Sequence, residues 1–173
     1  GLGDVYKRQF EMMVTVNRMR VMEIMATTTN AIAEGEVMQL MTSNDTETGE
    51  TAYLEVIRSK TAQLFSAACR IGALVADRPK VEEDALETFG MNLGITFQLI
   101  DDVLDYSASQ AKLGKTIGDD FREGKITLPL ICALQCAPGT RSAEMEALLA
   151  RRFSFLYFTS LRERQIAHST GRN

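Results

Sequence analysis

The sequence predicts an all-α protein, a bundle of long helices, and three observations carry that reading. Only three of the 173 residues are proline, while Ala, Leu, Met, Glu and Gln are abundant, a composition that favours helix. No stretch shows the alternation of a half-buried strand, and no segment repeats. Two polar loops, Ser43–Glu50 and Ser107–Gly124, separate runs long enough to cross a whole domain.

Taken in order, Gly1–Gln9 has no periodicity and does not join smoothly to the residues after it. It is read as a non-native scar and set aside from the fold. From Phe10 to about Met25 apolar residues are dense, as in a buried helix. Thr27–Thr29 lower helix propensity and mark a kink, after which Asn30–Met41 forms a second helix carrying AEGEVMQL. Thr51 is placed as the cap of the next helix, whose apolar face starts at Leu54 and Ile57 and which runs through Lys60 to about Ala76, before Pro79. A helix from about Val81 to Tyr106 would be roughly 39 Å long at 1.5 Å per residue. Thr127 and Pro129 open a last helix ending near Pro138. Residues 10–138 thus read as one helical body and 139–173 as a divergent tail.

Charge and composition narrow the function. Residues 1–138 hold 13 basic and 20 acidic side chains, and residues 139–173 hold 6 and 3. An acidic body excludes nucleic acid as a partner, because phosphates require a basic face, and is compatible with a site that collects divalent cations. No run reaches the roughly 18 apolar residues of a membrane span, and the start lacks a secretory pattern, so a cytoplasmic protein is expected. Cys69, Cys132 and Cys136 lack CxxC spacing and read as reduced, buried thiols. The single histidine, His168, lies in the tail, which argues against a histidine base or a histidine metal cluster.

The sharpest chemical feature is FQLIDDVLDY, Phe97–Tyr106. On a helix, Gln98, Asp101, Asp102 and Asp105 fall within about 100° of one another, flanked by Phe97, Leu99, Ile100, Val103 and Leu104. No Lys or Arg lies between Lys80 and Lys112 to relieve the repulsion, so the three carboxylates are costly unless a cation binds them. Oxygen-only ligands suit Mg²⁺. A second cluster, GKTIGDDFREGK at Gly114–Lys125, brings Lys115 and Lys125, with Lys112 just before, among glycines that let a ligand approach the backbone. Alone it is an ordinary charged loop; beside an aspartate helix it is what a metal-bound diphosphate requires.

These residues resemble the trans-prenyltransferase family, in its long-chain octaprenyl or decaprenyl diphosphate synthase type. FQLIDDVLDY is similar to that family's second aspartate-rich motif, and the likeness continues through AEGEVMQL, YLEVIRSKTAQLFSAACRIGA, FGMNLGITFQL and LGKTIGDDFREGKITLPLI, covering about Phe10 to Ala137. The resemblance implies an isoprenoid-synthase helical fold, here incomplete, and a Mg²⁺-dependent reaction. An allylic diphosphate ionises, isopentenyl diphosphate attacks the carbocation, and a proton is lost. It implies that Asp101, Asp102 and Asp105 hold the metal, and that Lys60, Lys115 and Lys125 neutralise the diphosphate. Thr61 and Gln98 would set oxygen dipoles near the developing cation, with the helix irregular around Lys60–Thr61. Gly90 and Gly94 are read as helix-packing positions, and Glu34, Glu36 and Gln39 as structural. The family's first aspartate-rich motif is expected upstream of Phe10, so the chain reads as a C-terminal fragment, inactive alone, of a homodimeric parent. The alternatives are a non-catalytic subunit of a heteromeric synthase and a terpene cyclase on the same fold.

Overall fold

The computed structural model describes residues 8, 11–107, 118–136, 144 and 147, and among them every regular element is helical. The parts set apart as scar and tail lie almost wholly outside the described residues. A helical turn over 11–15 ends at Asn17, whose φ of 51° takes the backbone into the left-handed region that Asn tolerates better than most residues. Helix α1, Met19–Thr42, then runs unbroken through Thr27–Thr29. The expected kink is therefore corrected: the break falls at Asn17, ten residues earlier than Thr27. Thr29 Oγ1 donates to the Met25 carbonyl at 2.8 Å, so its hydroxyl is satisfied on the preceding turn without leaving the helix. Val21, Ile24, Thr28 and Gly35 form the buried stripe of α1.

Helix α2 spans Glu50–Ile57 and passes through a π-helical turn, Arg58–Ala62, into α3, Gln63–Val75. The irregularity expected around Lys60–Thr61 is thus a five-residue π segment. Thr51 does not cap this helix, which already begins at Glu50. Glu50 itself lies in the first turn, where a carboxylate meets the positive end of the helix dipole. Helix α4 spans Lys80–Ser107, two short helices follow, α5 (Asp119–Arg122) and α6 (Leu128–Cys136), and no strand occurs among the described residues.

The described residues fall into two compact units, those within Gly1–Met41 and Thr51–Asp101 and those within Thr42–Glu50 and Asp102–Asn173. In the first, Tyr53, Val56, Ile57, Ala62 and Ala67 are buried along α2, the π turn and α3. Each fully buried Val or Ile among them contributes about 1.5–3 kcal/mol. The helices meet through glycines, as expected for Gly90 and Gly94. A Cβ on Gly90 would lie 2.5 Å from the Phe65 carbonyl oxygen, and one on Gly94 2.5 Å from the Ala62 Cα. Glu83, 2% exposed, accepts from Arg20 at 2.8 Å and Arg70 at 2.9 Å and so ties α1, α3 and α4 together.

In the second unit Ile126, Thr127, Leu130 and Ile131 are buried and anchor α6. The Asn44 amide donates to the Gly124 carbonyl at 2.9 Å, and Gly118 and Gly124 take φ values of 75° and 77° that a side chain would strain. The cysteines are free, yet only Cys69 is partly covered, while Cys132 and Cys136 are exposed. This corrects the expected burial. Cys132 and Cys136 are four apart and share one face of α6, and that face is not the one that buries Leu130 and Ile131.

Candidate active site

In the first unit, the π turn sets Lys60 and Thr61 next to each other with side chains leaving at angles an α-helix would not give, since one extra residue is fitted into the turn. Thr61 Oγ1 donates to Gln98 Oε1 at 3.0 Å, linking the turn to α4. The Lys60 ammonium lies 3.0 Å from Glu36 Oε2 and donates to Gln39 Oε1, both on α1. Two residues read as merely structural from the sequence therefore hold a predicted site lysine. The i,i+3 spacing of Glu36 and Gln39 marked a shared face, but Lys60 lies 21 residues from Gln39, and only packing joins them.

Along α4 the three aspartates do not share one environment. Asp101 is exposed, Asp102 is 2% exposed and Asp105 is half-buried. Phe97 and Ile100, at 54% each, and Val103, at 52%, are open instead. The expected acidic stripe is thus divided, with Asp102 covered and Asp101 open, and part of its apolar flank is exposed. Successive residues differ by 100° around a helix, so Asp101 and Asp102 fall on opposite sides of the line between its covered and open faces.

In the second unit, Asp105 accepts backbone N–H bonds from Asp119 at 3.3 Å and Asp120 at 3.2 Å, while the Gly118 amide donates to the Asp105 carbonyl at 2.9 Å. The end of α4 is thereby fastened to the start of α5. Lys125 lies 2.8 Å from Asp120 Oδ1 and 2.8 Å from Glu123 Oε2. Burial works against its ammonium, but these two acceptors hold its pKa above the ordinary lysine value. The sequence signalled Lys125 and not the carboxylates that hold it. Lys115 and Lys112 lie outside the described residues.

The carboxylate oxygens of Asp101 and Asp105 are the hard donors that Mg²⁺ or Ca²⁺ takes. Among the described residues no three His, Cys, Asp or Glu side chains converge as a metal-binding group. A separate polar cleft of about 170 Å³ in the first unit is lined by Arg20, Glu23, Thr28, Gln63, Arg70 and Glu87, among others, and includes none of the predicted site residues. Among the described residues no helix is long and apolar enough to cross a membrane.

Comparison with known proteins bears on this arrangement. The family model for polyprenyl synthetase matches residues 3–155. Octaprenyl diphosphate synthase of Haemophilus influenzae is 50% identical over 135 residues, covering 78% of this chain and 41% of that protein. Heptaprenyl diphosphate synthase component 2 of Geobacillus stearothermophilus is 33% identical over 159 residues, covering 86% of this chain and 50% of that protein. A solved polyprenyl synthase from Caulobacter crescentus, complexed with calcium and isoprenyl diphosphate, superposes with a TM-score of 0.80 at 49% identity, over 85% of this chain and 45% of that one. The chain thus spans half or less of the length of these relatives.

Proposed function

We propose a function from one premise: the chain belongs to the polyprenyl synthetase family. In this reading it carries one wall of a site that adds isopentenyl diphosphate to an allylic diphosphate and so builds a long-chain polyprenyl diphosphate. The observation that carries the reading is the π turn Arg58–Ala62, with Thr61 bonded to Gln98 beside Lys60. A π turn inside an α-helix is rare and is frequently found at functional sites.

The chemistry asked of these residues is electrostatic. As the allylic carbon–oxygen bond breaks, negative charge collects on the departing diphosphate and positive charge on the carbon chain. Lys60 and Lys125, with Lys115 from outside the described residues, neutralise diphosphate oxygens. Thr61 and Gln98 turn oxygen dipoles toward the developing carbocation. Preorganised groups of this kind are worth several kcal/mol in a water-poor site. A bound Mg²⁺ would add charge neutralisation of the leaving diphosphate. Asp101 and Asp105, four apart on one helix, are its proposed ligands, and Asp102 adds its charge from the buried side.

The test is calorimetric titration of the chain with Mg²⁺ and inorganic pyrophosphate. Binding is expected to require Mg²⁺ and to weaken by about tenfold or more, or roughly 1.4 kcal/mol, in Asp101→Ala. Binding indifferent to both would end the reading. The isolated chain is expected to lack prenyl transfer, since the resemblance implies two aspartate-rich motifs and the chain carries one. Mg²⁺-dependent elongation by the purified chain would overturn that expectation.

The reading brings with it a homodimeric parent and a cytoplasmic location. A heteromeric parent is the second reading, favoured by the likeness to a protein named component 2. Mass measurement of the parent in solution separates one kind of subunit from two.

A further inference from the structure

Lys60 is held more closely than a surface lysine needs. Its ammonium has three N–H donors, of which Glu36 Oε2 and Gln39 Oε1 engage two. Its backbone is fixed as well: a Cβ on Gly35 would lie 2.5 Å from the Lys60 nitrogen and 2.9 Å from its Cα, so the π turn sits directly on α1. Gly35, Glu36 and Gln39 thus form one cradle, with the glycine seating the backbone and the two acceptors seating the side-chain tip. An ordinary interhelical ion pair would need neither the neutral Gln39 nor the bare glycine. At 29% and 53% side-chain exposure such a pair would also contribute little to stability.

We propose that Glu36 and Gln39 are positioning residues for Lys60, holding its ammonium with the third donor available to a diphosphate oxygen. A lysine side chain has large rotamer freedom, and an anion that binds it must normally freeze that freedom. Two hydrogen bonds made in advance remove the freedom before the anion arrives, so less of the binding energy is lost to ordering. Glu36 also places a negative charge beside the anion. Its proposed contribution is therefore the acceptor oxygen rather than the charge, which a glutamine can also supply. The inference rests on Lys60 being a diphosphate ligand, and the experiment separates the two.

The full chain is titrated with inorganic pyrophosphate in the presence of Mg²⁺. Glu36→Ala and Gln39→Ala are each expected to weaken binding by about fivefold to tenfold, as for loss of one typical hydrogen bond. Glu36→Gln is expected to recover most of the loss. In a Lys60→Ala background neither alanine change should have a further effect. If binding falls in Lys60→Ala but not in the alanine variants, or if the alanine changes weaken binding equally without Lys60, the positioning role is overturned. If Lys60→Ala binds like the unsubstituted chain, the diphosphate role of Lys60 fails instead. Independently of any ligand, the ¹⁵N NMR signal of the Lys60 ammonium should be protected from exchange and should vanish in Gln39→Ala. An unprotected signal in the unsubstituted chain overturns the cradle itself.

Discussion

The backbone nitrogen of Lys60 lies 2.5 Å from where a Cβ on Gly35 would stand. No real side chain tolerates that distance, and the obstructing atom is backbone, which cannot swing aside. Gly35→Ala should therefore lower stability despite the roughly 1 kcal/mol that alanine gains over glycine in a helix interior. Overpacking of this kind costs about 1–3 kcal/mol, so a net loss on the order of 1 kcal/mol is expected by urea denaturation. A midpoint equal to or above that of the unsubstituted chain would remove close packing as the reason for the glycine.

Glu83 predicts an acid sensitivity. Its hydrogen bond from Arg70 holds the carboxyl below the usual glutamate range against the opposing effect of burial, with help from the charges of Arg20 and Lys80. The folded pKa is depressed, so this stabilisation is fully present above the unfolded value of about 4.3 and is lost as the pH falls through the folded value. Glu83→Gln should cost about 1–3 kcal/mol at neutral pH. The gap from the unsubstituted chain should close as the pH is lowered below the unfolded value and through the folded one. Urea midpoints across that range check it, and a constant gap would contradict the assignment.

Asp105 ties α4 to α5 through the amides of Asp119 and Asp120. Asp105→Ala should therefore speed hydrogen exchange at those two amides while leaving exchange along α3 unchanged. The expected loss of protection corresponds to about 1–3 kcal/mol. Unchanged exchange at both amides would show that the short helix is held by something else.

Thr61 and Gln98 should be energetically coupled. Thr61→Val and Gln98→Leu each break the 3.0 Å hydrogen bond between them, so the double variant should be less destabilised than the sum of the singles. A coupling of about 0.5–1.5 kcal/mol is expected. Strict additivity in thermal or chemical denaturation would mean that the bond contributes nothing.

Much of the fold was legible because helices answer to local rules. The composition predicted helix, and Val81–Tyr106 differs from the observed Lys80–Ser107 by one residue at each end. The failures were places where one local signal met another. Three threonines in a row argued for a kink, yet Thr29 bonds back to Met25 and the helix continues to Thr42. Asn17 carried a weaker signal and made the break. At the site, Lys60, Thr61, Gln98, Asp101, Asp105 and Lys125 were all named from sequence and resemblance. Their partners Glu36, Gln39, Asp120 and Glu123 were not named as such, because a residue's type does not say which side chain it will meet.

The sequence by itself determined the helical class, the glycines that let helices approach closely, and the acidic and lysine-bearing segments proposed to carry the chemistry. These depend on spacing and residue type, which act within a few residues along the chain. Tertiary structure alone decided that Asp102 is covered while Asp101 is open, and that Lys60 is seated by α1. Which face of a helix is covered, and which acceptor reaches an ammonium, depends on elements tens of residues apart coming to within about 3 Å, the range over which a hydrogen bond forms.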